Sequence, residues 1–230
     1  MRRVLGMGQG NVVLLNGTSS AGKSTIARAL QEIMETPYLH MGIDHFLSSV
    51  PPTASLVTDV DGQITTDFFQ VVCEGRTTES IAAVQRGEAV YPDGVLAEVR
   101  IGPGGRKLLA GMYRSIAAFA AAGIDVIVDD VIHDRRVLMA AVEALRDAPV
   151  LFVGLRLPLE VAVRRERERG DRGPGGAAAF YDLVHAHGVY DLELDTATAS
   201  PMECALRIKQ ALQDGHPRRA FRELAAAFAG

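Results

Sequence analysis

The chain has no surplus of positive charge and very few cysteines, and both shortages narrow what it can do. Its 230 residues include 24 lysines and arginines against 28 aspartates and glutamates, for a formal net charge of −4. This balance argues against nucleic acid or an anionic membrane as a partner. Only Cys73 and Cys204 are present, far apart and outside any CxxC or Cys/His spacing. They are interpreted as reduced thiols that bind no metal, in a cytoplasmic protein.

Long hydrophobic runs are also missing. No stretch approaches the roughly 18–20 apolar residues of a membrane span. The opening MRRVLGMGQG has neither the apolar core nor the cleavage site of a secretory signal. What remains is an ordinary composition, 48% hydrophobic and 23% charged, in a length that suits one α/β domain over residues 1–230. The oligomeric state is left open between a monomer and a homo-oligomer.

Strand and helix patterns alternate along most of the chain. β-branched and leucine-rich runs of strand length are separated by segments with apolar residues at helical spacing. This alternation indicates βαβ units and a parallel sheet covered on both faces. The predicted strands are residues 11–15, 38–44, 124–129, 150–155 and 190–196, and the predicted helices are residues 23–34, 106–122, 135–146, 158–168 and 201–212.

Three segments need separate interpretation. Residues 46–105 contain several Pro and Gly, weak strand-like pieces and a short helical pattern near residues 77–86. A segment of this length without a parallel-sheet pattern predicts an insertion that covers a substrate site. Residues 158–178 join a charged helix to a glycine-rich break. The tail, residues 217–230, is helix-like with an apolar stripe that packs on the core or mediates dimerisation, and core packing is favoured.

A glycine-rich loop follows the first predicted strand. Residues 17–24 fit the pattern G-x-x-x-x-G-K-[ST], and an amphipathic helix comes next. Glycines let backbone N–H groups turn toward phosphates, the helix adds its positive N-terminal end, and Lys23 can reach the β- and γ-phosphates. The predicted nucleotide-binding residues in this region are Gly17, Thr18, Ser19, Ser20, Ala21, Gly22, Lys23, Ser24 and Thr25.

A carboxylate should meet the metal ion of the nucleotide. The run VIVDD ends a predicted strand with Asp129 and Asp130. A carboxylate at the carboxyl end of a neighbouring parallel strand can bind Mg²⁺ together with the Ser24 hydroxyl. We predict Ser24 and Asp129 as metal ligands, with Asp130 the weaker candidate. A helix-capping aspartate is the alternative, because a helix follows soon after.

An arginine-rich helix suggests which kind of nucleotide-binding protein this is. The Asn-Lys-x-Asp pattern with which switch GTPases read guanine does not occur in the sequence. Arg165, Arg169 and Arg172 share one helical face, beside a glycine-rich break that could close over a site. Guanidinium groups near a γ-phosphate stabilise the charge of phosphoryl transfer, which predicts the lid of a small-molecule kinase. The alternative is a solvated helix of Arg/Glu pairs, which Glu166 and Glu168 support in part.

An acidic residue follows the second predicted strand. Asp44 ends HMGID, and in doubly wound sheets the ligand crevice lies outside the carboxyl ends of the strands. We therefore predict that Asp44 faces the phosphate loop and takes the proton of an acceptor hydroxyl. His45 is the rival base. A helix cap at Asp44 is the purely structural alternative.

Together these motifs resemble the chloramphenicol 3-O-phosphotransferase family. The matching stretches follow the family's order and cover most of the chain outside the insertion. They are LNGTSSAGKS (15–24), GID (42–44), AAGIDVIVDDV (121–131), VGLR (153–156), RERERGDR (165–172), YDLELDT (190–196) and SPMECALRI (200–208).

The resemblance implies a P-loop α/β three-layer fold with a five-stranded parallel sheet and an Arg-rich lid. It implies an ATP- and Mg²⁺-dependent kinase in which Asp44 is the base and Arg169 and Arg172 contact the phosphates, with Arg165 assisting. It also places the loop that starts at Thr196 near adenine. The expected activity is ATP-dependent phosphorylation of a hydroxyl on a small molecule, an antibiotic in the first instance, which gives resistance.

The sequence departs from the family in the region expected to form the acceptor pocket, because residues 46–105 are longer than the corresponding segment of the chloramphenicol enzyme. This segment has eight carboxylates against three arginines, which favours a cationic acceptor such as an amino-sugar antibiotic. A solvated acidic loop explains the same composition. A metabolic kinase with another acceptor and a non-kinase ATP-binding regulatory protein remain alternatives.

Overall fold

The computed structural model describes residues 8–50, 55–57, 67–75, 79, 82–83, 86, 94–170 and 173–229. Its strands are β1 (Val12–Asn16), β2 (Tyr38–Gly42), β3 (Ser55–Val57), β4 (Phe69–Glu74), β5 (Val95–Ile101), β6 (Asp125–Asp130), β7 (Val150–Arg156) and β8 (Leu192–Asp195). Five of them form a wholly parallel sheet in the order β2-β6-β1-β7-β8. The other three form a small sheet in which β4 pairs parallel with β3 and antiparallel with β5.

The helices connect the strands and cover the large sheet. Several begin at recognisable caps. The Asp134 carboxylate accepts hydrogen bonds from two backbone amides of α4, and Ser200 and Glu203 form a reciprocal capping box on α7. The helices are α1 (Lys23–Ile33), α2 (Ile43–Leu47), α3 (Pro103–Ala121), α4 (Arg135–Ala144), α5 (Leu159–Arg169), α6 (Gly176–Phe180), α7 (Pro201–Gln213) and α8 (Ala220–Ala229).

The core consists of two apolar layers, one on each face of the large sheet. β1 is buried along its whole length because it lies at the centre of the sheet. Val13 and Leu15 pack in the layer with α1 and α7, while Val12 and Leu14 pack in the layer with α3, α4 and α8. This alternation follows from the two-residue period of a strand.

The predicted parallel sheet of five strands with helices on both faces is confirmed. Several predicted boundaries differ by two or three residues. Among them, α3 starts at Pro103 and not at residue 106, β8 starts at Leu192 and not at residue 190, and β2 ends at Gly42 and not at residue 44. The chain turns there into α2, with Gly42 still extended as the residue before the helix. The tail packs on the core as favoured, because Phe221 and Leu224 of α8 are buried. The helical pattern predicted near residues 77–86 lies largely outside the described residues.

The predicted site residues on β1, β2 and β6 lie at the carboxyl-end edge of the large sheet. The carboxyl ends of β1, β2 and β6 meet there, with Asn16 opposite Asp130 and Gly42 opposite Asp129. The first turns of α1 and α2 start at the same edge. Within the part of the chain that the structure describes, no helix is long and apolar enough to cross a membrane.

Candidate active site

The loop between β1 and α1 turns through two residues with left-handed backbone. Ser20 has φ of 61° and Gly22 has φ of 89°, and the amide of Ala21 donates to the carbonyl of Thr18 at 3.3 Å. α1 starts at Lys23, so its positive N-terminal end faces the loop. This strand–loop–helix arrangement is the context that a phosphate-binding loop requires.

The Lys23 ammonium lies over the loop. Its Nζ donates to the carbonyl oxygens of Gly17 at 2.9 Å and Thr18 at 2.8 Å. Both acceptors are neutral, whereas an ammonium binds anionic oxygens more strongly and has three N–H donors. Lys23 is therefore positioned to reach an anionic oxygen at the mouth of the loop.

The Ser24 hydroxyl and the Asp129 carboxylate are in direct contact. Ser24 Oγ donates to Asp129 Oδ2 at 2.5 Å. Burial by itself would raise the pKa of Asp129, but the neighbouring His40 and Ser24 side chains and the charge of Lys23 lower it to about 2. The carboxylate is therefore ionised at neutral pH.

A glycine makes room for this carboxylate. A Cβ at Gly42 would lie 1.9 Å from Asp129 Oδ1, far inside van der Waals contact. The Gly42 amide also donates to His45 Nδ1 at 3.1 Å. Position 42 therefore accommodates only glycine while Asp129 keeps its orientation toward Ser24.

His40 is a neighbour of Asp129 that is not among the predicted site residues. His40 Nε2 lies 3.4 Å from Asp129 Oδ2. Residues 40 and 42 share a face of β2, and Gly42 stands opposite Asp129 in the sheet, which brings the imidazole to the carboxylate. The signal in the sequence is the histidine two residues before the glycine of HMGID.

Asp130 points the other way and is engaged in the core. Its side chain accepts hydrogen bonds from the Tyr113 hydroxyl at 2.5 Å and from the Val131 amide at 2.7 Å. Burial raises the pKa of Asp130 to about 6, against the opposing effect of these hydrogen bonds. The structure therefore separates the two adjacent aspartates, and only Asp129 contacts Ser24.

Asp44 and His45 lie in the first turn of α2, and both are exposed. Asp44 comes two residues after Gly42, so it lies at the same sheet edge as Asp129. His45 is oriented by the Gly42 amide through Nδ1. The predicted base and its rival are thus both present at the edge of the site.

The predicted lid helix contacts Thr196, which was predicted to lie near the nucleotide. Arg165 Nη2 donates to the carbonyl oxygen of Thr196 at 2.7 Å. Arg169 is the last residue of α5 and is exposed, and Gly170 ends the helix with φ of 62°. Arg172 lies outside the described residues. The structure therefore joins Arg165 to Thr196 and places Arg169 at the start of the glycine-rich break.

Glu166 has a function that its sequence context concealed. It is buried, and its carboxylate accepts hydrogen bonds from the amides of Gly175 at 2.9 Å and Ala177 at 2.8 Å. Ala177 in turn accepts a hydrogen bond from Thr18 Oγ1 at 2.7 Å. The alternative of a solvated Arg/Glu pair does not hold for Glu166, because this buried side chain anchors α6 beside the phosphate loop.

The insertion contacts the same segment. The Leu96 amide on β5 donates to the carbonyl of Pro174 at 2.8 Å, and a Cβ at Gly175 would lie 2.3 Å from the Leu96 carbonyl oxygen. Gly175 has φ of 108°, a conformation suited to glycine. The glycine-rich break is therefore fixed at its C-terminal end between the small sheet and α5.

Comparison with known sequences gives a consistent result. The family model described as "Chloramphenicol phosphotransferase-like protein" matches residues 10–213. Two relatives from Mycobacterium tuberculosis are named "Putative O-phosphotransferase Rv2636" (strain H37Rv) and "Putative O-phosphotransferase MT2714" (strain CDC 1551). Each is 34% identical over 224 residues, which covers 97% of this chain and 91% of the relative.

Solved structures share the fold at low sequence identity. The Mycobacterium tuberculosis APS kinase CysC, in complex with AMPPNP and APS, aligns with a TM-score of 0.55 at 15% identity and covers 90% of this chain and 99% of its own. Shikimate kinase from Acinetobacter baumannii gives 0.51 at 14%, covering 92% and 97%. The tunicamycin resistance protein of Deinococcus radiodurans gives 0.52 at 16%, covering 91% and 98%.

Proposed function

The chain belongs to the chloramphenicol phosphotransferase-like family, and we propose that it transfers the γ-phosphoryl group of ATP, bound with Mg²⁺, to a hydroxyl of a small molecule. The chain is a P-loop kinase by family and fold. The observation that carries the proposal is the Ser24–Asp129 contact at the mouth of the phosphate loop. Asp44 lies at the same edge, two residues beyond the glycine that faces Asp129.

The donor side is assigned to the phosphate loop. Residues 17–25 would hold the β- and γ-phosphates through backbone amides, the N-terminal end of α1 and Lys23. Arg165 and Thr196 would flank the nucleoside, since they already contact each other across two chain segments. Arg169 and Arg172 would approach the phosphates from the lid.

The Ser24–Asp129 pair fits a magnesium ion that arrives with the nucleotide. Both ligands are oxygen atoms, and the low pKa of Asp129 keeps the carboxylate anionic. Among the described residues no group of three His, Cys, Asp or Glu side chains could hold a metal. One hydroxyl and one carboxylate suit Mg²⁺, which typically binds one or two protein ligands together with substrate phosphates. Bound there, the ion would neutralise charge on the phosphate oxygens.

The acceptor side is assigned to Asp44. Its carboxylate is exposed at the start of α2 and would accept the proton of the acceptor hydroxyl. The acceptor oxygen then bonds to the γ-phosphorus while the bond to the bridging oxygen breaks, so that ADP leaves. Arginine side chains would offset the charge that develops on the transferred group.

For the acceptor itself we propose a hydroxyl-bearing antibiotic. The support is the family to which the chain belongs, whose description names chloramphenicol phosphotransferase. Phosphorylation of the hydroxyl would then inactivate the compound and give resistance. A metabolic hydroxy compound is the second candidate, because the phosphate loop and the lid would serve either acceptor.

An acceptor screen tests this function. Purified protein is incubated with ATP, Mg²⁺ and single hydroxyl-bearing compounds, antibiotics first and hydroxylated metabolites second, and products are read by mass spectrometry. We expect one compound class to gain a phosphoryl group with stoichiometric ADP. A Lys23→Ala variant should give none. ADP formation that no compound stimulates would contradict the phosphotransferase proposal.

A further inference from the structure

A cavity of about 470 Å³ lies beside the sheet edge, between the small sheet and the starts of two helices. Its walls come from β5, the first turn of α3, the segment after β6, the first turn of α4, and α6. This size is within the range of small-molecule sites. The basic side chains in its lining are Arg100, Arg106, His133, Arg135 and Arg136.

The lining is positive, and its two carboxylates are already engaged. Glu98 pairs with Arg100 at 2.7 Å. Asp134 accepts the backbone amides of Arg136 at 2.7 Å and Val137 at 3.1 Å, and so caps α4. The lining therefore contains four guanidinium groups against two carboxylates. Such a lining favours an anionic ligand over a cationic one.

Arg100 shows an unused donor in this cavity. Its Nη1 is buried and has no hydrogen-bond partner among the described residues, although Nη2 holds Glu98. Buried donors are normally satisfied, so a buried guanidinium nitrogen without a partner points to a ligand oxygen or water at that place. A planar guanidinium suits a carboxylate, phosphate or sulfate in particular.

Segments that line the cavity also adjoin the phosphate-binding site. His133 follows Asp129 and Asp130 along the chain, and its Nε2 lies 3.2 Å from the Val99 carbonyl oxygen on β5. Phe180, in contact with the His133 ring, belongs to α6, the helix that Thr18 and Glu166 anchor beside the phosphate loop. A ligand in the cavity would therefore touch the segments that border the phosphate loop and the metal pair.

We infer that this cavity binds an anionic group of the acceptor, a carboxylate, phosphate or sulfate, while the acceptor hydroxyl is presented for phosphorylation. The inference rests on the proposed phosphotransferase function and narrows its acceptor to hydroxy compounds that carry such a group. This acceptor is anionic, whereas the acidic composition of residues 46–105 had predicted a cationic one. Of the acids in that segment, Glu98 and Glu79 pair with Arg100 and Arg86.

Binding is tested first, with the phosphate loop filled. Protein saturated with AMPPNP and Mg²⁺ is titrated with malonate and with inorganic phosphate by isothermal calorimetry. We expect saturable binding in the wild type and a Kd at least about tenfold weaker in Arg100→Gln and in Arg136→Gln, two variants on separate elements. Arg146→Gln, just beyond the opposite end of α4, is the matched control and should bind like the wild type. No saturable binding, or equal binding in all variants, overturns the inference.

Turnover then separates this inference from the proposed function. Hydroxy acids and phosphorylated or sulfated alcohols are compared with their uncharged analogues. We expect phosphorylation of the anionic compounds, with KM for the acceptor raised at least about tenfold in Arg136→Gln and KM for ATP unchanged. Phosphorylation of neutral or cationic compounds with unchanged KM in the variants overturns the anionic pocket alone. Anion binding without phosphorylation of any compound overturns the kinase proposal, and with it the acceptor assignment.

Discussion

Replacing Glu166 by Gln tests whether this buried carboxylate holds α6 against the phosphate loop. The residue is 8% exposed, and it accepts backbone hydrogen bonds from Gly175 and Ala177 at 2.9 and 2.8 Å. An amide keeps one acceptor oxygen but turns an NH₂ group toward the second N–H, so one bond is lost and two donors face each other. A hydrogen bond to a charged group contributes about 1.5–3 kcal/mol, which corresponds to a fall in Tm of roughly 3–12 °C for a chain of this size.

Two measurements distinguish local opening from global loss of stability. Hydrogen–deuterium exchange of residues 173–181 should become about tenfold faster or more, because the segment loses its anchor. Thermal unfolding reports the global part. Glu168→Gln is the matched control, since Glu168 is exposed and lies 4.0 Å from Arg164; its effect should stay within about 0.5 kcal/mol. Unchanged exchange and Tm in Glu166→Gln would refute the anchoring role.

Substitutions at Gly42 and Asp130 give two further predictions, one about magnesium binding and one about stability. Gly42→Ala places a Cβ 1.9 Å from Asp129 Oδ1, so the Mg²⁺ concentration for half-maximal activity should rise at least about tenfold. Gly111→Ala meets nothing within 4 Å and should leave it unchanged; the same Mg²⁺ dependence in both variants would contradict the metal assignment. Because the folded-state pKa of Asp130 is raised to about 6, the native state binds the extra proton between about pH 4 and 6, and stability from this group falls as pH rises through that interval. In urea unfolding, the free energy of unfolding of Asp130→Asn should therefore rise relative to that of the wild type by up to about 3 kcal/mol between pH 4 and 6. Above pH 6 the difference should stay constant. Parallel curves of unfolding free energy against pH for the two proteins would count against this prediction.

The features that sequence analysis predicted are those with local causes. β1 is a continuous apolar run because it is buried on both faces, and the glycine-rich loop after it has a fixed spacing. Ser24 and Asp129 were predicted at one metal site from the rule that carboxyl ends of parallel strands meet at one edge, and the structure brings these two side chains into contact. The second strand was drawn too long because Ile43 continues its apolar pattern, although α2 begins there.

The features that were missed depend on distant parts of the chain. β5 has a single buried residue, Ile101, and no clean alternation of buried and exposed positions, so its sequence pattern does not predict its pairing with β4. Glu166 stands in a run of charged residues, and its burial is set by amides that lie 9 and 11 residues further on. The arginine-lined cavity combines residues from four helices and strands and from the segment after β6, and a helix or strand pattern does not predict which side chains converge there.

The measurement that tests the central claim most directly is single-turnover phosphoryl transfer by Asp44→Asn. Formation of the phosphorylated acceptor identified in the screen, or of ADP, is followed over time. The Kd for AMPPNP is measured separately. We predict that turnover falls by about 10²–10⁴-fold because the acceptor proton has lost its base, with the Kd for AMPPNP unchanged. Asp147→Asn, an exposed aspartate between α4 and β7, should behave like the wild type. Near-normal turnover in Asp44→Asn would contradict the account.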